Sequence, residues 1–351
     1  YFRQACGISR FVFNWGLARW KEQKTNGVVS YGPMALKKEF NAIKGSMFPW
    51  VYDVTKSATE GAFRNLATAL NNYYDSKNGK REGKTIGFPN FKSKKSKRQS
   101  FYIANDRFSC IDHTFMFSKL GDVNMAEVLR FDGRILNGTI SNESDGNWYI
   151  SVSVELSDQG LINNSDTVGI DLGIKKLATL SDGVQYENQV LLRPYLKKLK
   201  YLNRKLSRCK QDSHRWHKAR RILSCFYARI ARRRRDYMHK MTTSIARRYS
   251  TIVIENLNVA GMLKNHCLAL SISNAAFGEI GRQLEYKAYR LIRVDRFFPS
   301  SRLCEVCGTV NERLTLAERI FVCPSCGHTE DRDWHASKNI RDQGLRLMAT
   351  A

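Results

Sequence analysis

The sequence predicts a multidomain protein of mixed class: a helical N-terminal segment, a small all-β region, and a C-terminal α/β domain that carries an inserted four-cysteine ribbon. Three observations predict it. Apolar residues recur with a helical period before residue 75, the period falls to two between residues 101 and 156, and short apolar runs alternate with amphipathic stretches from Val168 onward. With 351 residues there is room for two or three domains of roughly 100–200 residues each. A hydrophobic content of 42% supports a sizeable core, so disorder is not the default.

Taken in order, residues 1–75 read as helices, with Phe11, Trp15 and Ala18 at i, i+4 and i+7 and Phe63, Leu66 and Leu70 at i, i+3 and i+7. Residues 78–98 break the pattern with Gly79, Gly83, Gly87, Pro89 and the run KSKKSKR, an exposed basic loop. Trp148, Ile150, Val152, Val154 and Leu156 alternate with polar residues behind the turn Asp145-Gly146-Asn147, so a half-buried strand is expected there. Several such short strands suggest a small barrel or curled sheet, and Leu161–Thr167 reads as a linker. VGIDLGIKKLATLSDG (168–183) reads as strand, tight turn and returning strand. Leu192, Tyr195, Leu196, Leu199, Leu202 and Leu206 mark one long amphipathic helix. TIVIEN (251–256) is a buried strand, Ser273–Arg290 a helix, and Leu291–Phe298 a further strand.

The charge narrows the partner class. Fifty-eight Lys and Arg against 32 Asp and Glu give a formal charge of +26, which would self-repel in a compact fold unless a polyanion neutralised it. Nucleic acid is the leading partner, and an anionic membrane surface is the alternative. No apolar run approaches the ~18 residues of a membrane span, so a cytoplasmic, nucleoid-associated protein is expected. The sequence opens on Tyr1 rather than a methionine, from which missing upstream residues are expected.

Of nine cysteines, Cys6, Cys110, Cys209, Cys225 and Cys267 stand alone, while Cys304, Cys307, Cys323 and Cys326 form two C-x2-C pairs separated by fifteen residues. An odd total argues against a disulfide framework, and the spacing fits a tetrahedral four-thiolate Zn²⁺ site. Gly308 and Gly327 follow each pair, where the tight turn favours a residue without a side chain. His328 is a conceivable substitute ligand, but four thiolates close the shell and make the zinc structural. The alternative is four unrelated buried cysteines.

Two acids sit where apolar strands end: Asp171 in Val168–Ile174 and Glu255 after Thr251–Ile254. A carboxylate at the end of a buried strand is costly unless it is paired or binds a cation. Asp333, expected at the start of a short helix past the ribbon, supplies a third. Such an oxygen set suits Mg²⁺ or Mn²⁺, and two ions about 3.5–4 Å apart activate water and stabilise a leaving phosphodiester oxygen. Alternatively each acid caps a turn or pairs with an arginine. Asp182, Asp295 and Asp331 are weaker candidates, Asp331 being the one most easily confused with Asp333.

The blocks GIDLGIKKLATLSDG, IVIENLNVAGMLKN, FFPSSRLCEVCG and CPSCGHTEDRDWHASKNI, with SRFVFNW near the start and GFPNFKSKK near residue 90, resemble the signature segments of the TnpB (OrfB) family. These are RNA-guided nucleases of insertion sequences, similar to the type V CRISPR effectors. The resemblance covers nearly the whole chain. It implies a helical recognition domain over 1–100 and a β-barrel wedge domain over 101–166. It further implies an RNase H-like RuvC domain in two parts, 167–303 and 329–351, around the zinc ribbon at 304–328. It implies Asp171, Glu255 and Asp333 as catalytic metal ligands, one protein per guide RNA transcribed from the element's own end, and cutting of double-stranded DNA beside a short target-adjacent motif. A nuclease-inactive RNA-guided repressor and a transposase are the alternatives. The chain departs from the family twice. His335-Ala336-Ser337 stands where Asn-Ala-Ala is frequent, and the family's first strand lies upstream of what is here Tyr1, so an incomplete wedge domain is expected.

Residues 193–248 hold 20 Lys and Arg against two acids, including Arg232, Arg233, Arg234 and Arg235. A stretch this basic is expected to track a phosphate backbone rather than only form a solvated helix face. Lys92, Lys94 and Lys95 are candidates for the same role, and Phe91, Tyr73, Tyr74 and Tyr102 are candidate stacking platforms, with core packing as the alternative. His266 and Cys267 are expected to be packing residues.

Overall fold

The computed structural model describes residues 1–27, 32–81, 83–95, 98–156, 166–189, 193–315 and 318–350. The chain divides into two compact units, Tyr1–Gln159 and Gly160–Ala351. Most of the expected linker at 161–167, and Leu192, lie outside the described residues.

In the first unit, helices α1 (Phe2–Thr25), α2 (Pro33–Met47) and α3 (Lys56–Lys77) precede strands β1 (Gln99–Ala104), β2 (Phe108–Ile111), β3 (Thr114–Phe117), β4 (Gly121–Asn124), β5 (Arg134–Asn142) and β6 (Trp148–Glu155). Pro33 starts α2, where its missing N–H costs nothing, and Thr55 caps α3 by accepting from Ser57 N. Strands β1, β5 and β6 form one antiparallel sheet and β2, β3 and β4 another. The described strands therefore make two three-stranded sheets and not a closed barrel. Helices and strands that the sequence separates near residue 100 share a single core, from Val12, Phe40 and Leu66 to Phe101, Phe117 and Ile140. A close approach joins them: a Cβ at Gly61 in α3 would lie 2.4 Å from Tyr102 Cβ on β1.

The second unit is built on β7 (Thr167–Asp171), β8 (Lys176–Leu180), β9 (Gln185–Glu187), α4 (Leu196–Ser207), α5 (His214–Arg248) and β10 (Thr251–Glu255). It continues through α6 (Val259–Met262), α7 (Ala269–Ala275), α8 (Phe277–Lys287), β11 (Arg290–Val294), β12 (Ile320–Val322), β13 (Thr329–Asp331) and α9 (Arg332–Ala349). Its main sheet runs β11-β10-β7-β8-β9, with β11, β10 and β7 parallel and β8 and β9 antiparallel to their neighbours. Alternation along the parallel strands gives the sheet two dry faces. Val168, Ile170, Ile252 and Ile254 meet Met238, Met241 and Ile245 of α5 and Ile280 and Leu284 of α8. Val253 and Val294 on the other face meet Ile340 of α9.

Three sequence expectations change here. The long amphipathic helix expected over 192–206 is the shorter α4, with Tyr195 in a 3-10 turn before it, and the 35-residue α5 that follows at His214 was not expected. The helix expected over Ser273–Arg290 is split at Ala276, which adopts a left-handed φ of 52°. The short helix expected at Asp333 is an 18-residue helix, because Ala336, Ile340 and Gly344 continue its buried stripe. No described helix is long and apolar enough to cross a membrane.

Candidate functional site

Register brings the three expected acids together. In the β7–β10 ladder Ile254 pairs with Ile170, so Glu255 and Asp171 follow side by side at the carboxyl ends of adjacent parallel strands. Two residues earlier on the same face, Val253 pairs with Gly169. There α9 comes down onto the sheet: a Cβ at Gly169 would lie 2.0 Å from the Ser337 carbonyl oxygen, and one at Gly344 would lie 2.4 Å from Val253 Cγ2. Moving from Gly169 to Asp171 advances about 6.6 Å along the strand, and moving from Ser337 back to Asp333 retreats about 6 Å along the helix. Asp333 thus arrives over the two strand acids.

The electrostatics agree with this meeting. Burial, reinforced by the charges of Glu255 and Asp333 and only partly offset by Arg332, pushes the Asp171 carboxyl up to about 8. Ser300 donates to Glu255 Oε1 at 2.5 Å. Arg319 Nη1 and Arg332 Nε approach Asp333 at 3.9 and 3.8 Å. Three hard carboxylates near one another, one of them with its pKa raised by burial and by the other two, form a donor set that fits Mg²⁺ or Mn²⁺. Their oxygens do not all lie within 4.8 Å of one another. A pair of ions about 3.5–4 Å apart takes a wider set of ligands than a single ion does.

The weaker acids are occupied otherwise. Asp331 is the N-cap of α9, accepting from Asp333 N and Trp334 N at 3.1 and 3.0 Å. Asp182 accepts from Val184 N, the Tyr249 hydroxyl and Arg248, and Asp295 caps a turn through Phe297 N at 2.8 Å.

The four ribbon cysteines converge. Cys304 and Cys326 sulfurs lie 3.7 Å apart and those of Cys307 and Cys323 3.5 Å apart, near the ~3.8 Å that ~2.3 Å bonds to a tetrahedral zinc would give. Gly308 and Gly327 both take φ 74°, and their amides donate back to the carbonyls of Cys304 and Cys323. The four thiols do not shift together: hydrogen bonding with Thr309 holds Cys307 down to about 6, whereas burial raises Cys304, and burial with the neighbouring sulfurs pushes Cys326 up to about 12. The residues fit a closed zinc site. His328 stays out of it, its Nε2 turned toward Glu305 and Glu330. His335 also faces the ribbon, stacked on Phe321 with ring centroids 4.1 Å apart and with Nε2 2.7 Å from the Leu303 carbonyl oxygen.

The basic candidates divide. Lys92, Lys94 and Lys95 are all exposed, but the Lys92 ammonium lies 4.0 Å over the Phe13 ring and its backbone is clasped by Asn14. Ser96 and Lys97 of the same loop lie outside the described residues. Arg233 donates to the Tyr195 hydroxyl and the half-buried Arg234 to the Ser273 carbonyl, while Arg232 and Arg235 are exposed. Among the stacking candidates Tyr73, Tyr74 and Tyr102 are spent on Phe88, Trp20 and Arg64; Phe91 is 53% exposed and borders a 330 Å³ cavity with Arg10, Lys92 and Arg98. His266 and Cys267 are not packing residues: both are exposed in the polar turn between α6 and α7, where Cys267 N is held by Asn265. Sequence reasoning missed Ser300, Gly169 and Gly344, since a partner or a close approach leaves no periodic trace.

Known proteins match along the same lines. Residues 150–266 match the OrfB_IS605 family, described as a probable transposase, residues 277–340 the TNB domain of Cas12f1-like proteins, and residues 1–27 a helix-turn-helix domain. A Streptomyces pristinaespiralis protein named as a candidate RNA-guided DNA endonuclease is 34% identical over 85% of this chain and 73% of its own length. A protein of Escherichia coli K12 with the same description, InsQ, is 31% identical over 99% of this chain and 89% of its own. A solved Cas12f1–guide RNA–target DNA complex shares the fold, with a TM-score of 0.53 at 15% identity over 97% of this chain and 81% of that one.

Proposed function

The chain belongs to the TnpB (OrfB) family of transposon-encoded RNA-guided DNA endonucleases, and we propose that it hydrolyses double-stranded DNA beside a short target-adjacent motif, using Asp171, Glu255 and Asp333 to hold its catalytic metal. The observation that carries this reading is the register that sets Asp171 beside Glu255, with Asp333 lowered onto them by α9. The strand order, with β7, β8 and β9 antiparallel and β10 and β11 parallel outside β7, supports an RNase H-like RuvC domain.

When bound, Mg²⁺ or Mn²⁺ would polarise the scissile phosphate and lower the pKa of the attacking water. The chain's own part is positional. The sheet fixes two carboxylates by their backbones, Ser300 orients Glu255 through one oxygen, and the Asp331 cap sets the first turn of α9 and hence Asp333. Cys304, Cys307, Cys323 and Cys326 would hold the structural zinc. Lys94, Lys95 and Arg235, with Lys92, Arg232, Arg233 and Arg234 also engaged within the chain, would meet the phosphates of one guide RNA transcribed from the element's end and of the target duplex. In such a division of labour base pairing reads the sequence while the protein reads duplex shape and the short motif.

The test is cleavage of a plasmid library carrying a randomised motif beside a guide-matched target, by protein purified with co-expressed RNA in Mg²⁺. Cutting is expected, and Asp171→Ala should lower it by about a thousandfold or more with DNA binding retained. Binding without cutting by the wild type would favour a repressor, and strand-transfer products would favour a transposase.

A further inference from the structure

A second convergence of metal-binding side chains lies beside the four thiols. Glu305, His328, Glu330 and His335 each offer one donor atom, and the four atoms lie within 4.8 Å of one another. They come from different places: Glu305 follows the first cysteine, His328 leaves the second cysteine pair, Glu330 lies on β13 and His335 on α9.

With both rings neutral, the donors and acceptors of this cluster do not match. His335 is fully buried, and its Nε2 lies 2.7 Å from the Leu303 carbonyl oxygen, a contact that requires Nε2 to carry the hydrogen. Asn339 does not compete for that role, because its amide donates to the carbonyls of Ser300 and Leu303, both at 2.7 Å. In the neutral ring Nδ1 therefore points a lone pair at Glu330 Oε2, 3.3 Å away, so that two acceptors face each other. His328 Nε2 is buried with no hydrogen-bond partner among the described residues, and it faces Glu305 Oε1 at 3.5 Å and Glu330 Oε2 at 3.9 Å. Lys338 bonds Glu305 Oε1 and Glu330 Oε1 at 2.5 and 2.7 Å, which offsets one of the two carboxylate charges and leaves the other.

We propose that Glu305, His328, Glu330 and His335 form a second divalent-metal site in the ribbon, distinct from the four-thiolate site and from the acids on the sheet. A cation there turns each facing pair of acceptors into two ligands of one ion. The spacings of 3.3, 3.5 and 3.9 Å bracket the ~3.4 Å edge of a tetrahedron with bonds of about 2.0–2.2 Å. Two imidazoles with two carboxylates favour Zn²⁺ and its first-row neighbours over Mg²⁺. His335, with its far nitrogen donating to a backbone carbonyl, has the outer hydrogen bond that metal-bound histidines commonly make. Lys338 remains on Glu330 Oε1, the oxygen turned away from the histidines, and shares the Glu305 carboxylate with the ion.

Metal analysis of the full chain tests this, in an Asp171→Ala background so that the acids on the sheet do not contribute. After dialysis against Mg²⁺ buffer without chelator, zinc is expected near two ions per chain, falling to about one in His328→Gln and, separately, in Glu305→Gln. Cobalt-substituted protein should keep its thiolate-to-cobalt charge-transfer band in both variants and lose the weaker bands of the nitrogen- and oxygen-ligated ion. A parent that holds a single zinc, or variants that keep the parent's content, would mean that protonated histidines paired with the glutamates fill the cluster, and would overturn the proposal. Loss of both ions in both variants would overturn it as well, because the substitutions would then be acting on the ribbon as a whole.

Discussion

Burial and the neighbouring acids raise the Asp171 carboxyl, and its proton should be visible in the stability of the protein. Its carboxyl is raised to about 8 in the folded chain, against roughly 3.9 when unfolded. The folded state therefore binds the extra proton across that window. Without Mg²⁺ or Mn²⁺, the stability this group contributes is fully present below about pH 4 and is lost as pH rises through about 8. The melting temperature should fall from pH 5 to pH 8.5 in buffer free of those ions, and Asp171→Asn should flatten that fall. An unchanged profile in the variant would show that the carboxylate is already compensated. Gly169 is the other decisive residue. Its missing side chain leaves room for the Ser337 carbonyl and the Arg341 amide, which an added Cβ would meet at 2.0 and 2.5 Å. Backbone cannot swing aside, so Gly169→Ala should cost about 1–3 kcal/mol or more and depress cleavage. Gly278→Ala, with open space around it, should instead stabilise by about 0.5–1 kcal/mol in thermal melts. Asp171 and Glu255 were legible because a carboxylate interrupting an apolar run is conspicuous, whereas Ser300, the partner of Glu255, is one serine among many.

At the level of elements, the ribbon and α9 act as one lever. Strand β13 ends on Asp331, whose side chain caps the helix that carries Asp333. Phe321 of β12 stacks on His335 of the same helix. Cys304→Ser, folded but depleted of zinc, should therefore cut roughly a hundredfold more slowly, the scale of loss that about 1 Å of misplacement can bring. Wild-type rates in such a variant would detach the ribbon from the chemistry. The cysteine spacing and the strands around both acids could be read directly, because each is local. The length of α9 could not, since its buried stripe mixes Ala336, Ile340 and Gly344 with polar neighbours such as Arg341 and Asp342. Nor could the break at Ala276, where an ordinary residue takes a left-handed turn and the apolar period runs on across it.

For the whole molecule, the charge of +26 should make binding to nucleic acid strongly dependent on salt. Binding to duplex DNA should weaken linearly in log–log plots against salt, by a slope of about 0.9 per neutralised phosphate. Replacing Lys94, Lys95 and Arg235 with Gln should shallow that slope by at most about 3, with little change in melting temperature. An unchanged slope would place the phosphates elsewhere. Composition announces a polyanion partner but not its address: Lys92 and Arg234 look as free as their neighbours in sequence, yet one lies over Phe13 and the other is spent on a carbonyl. The continuity of the core across residue 100 was likewise invisible to periodicity, because the helices and sheets on its two sides bury their faces against each other.

The meeting of α9 with the sheet has one more consequence. At Gly169 the separation between helix and strand is set by main chain rather than by side chains. Core residues on the opposite face, such as Ile252, Ile254, Met241 and Ile280, do not enter that separation. A lineage carrying this fold can therefore drift widely there while its carboxylates keep their spacing. Tolerance of this kind leaves the scissors evolvable everywhere except at the hinge pin.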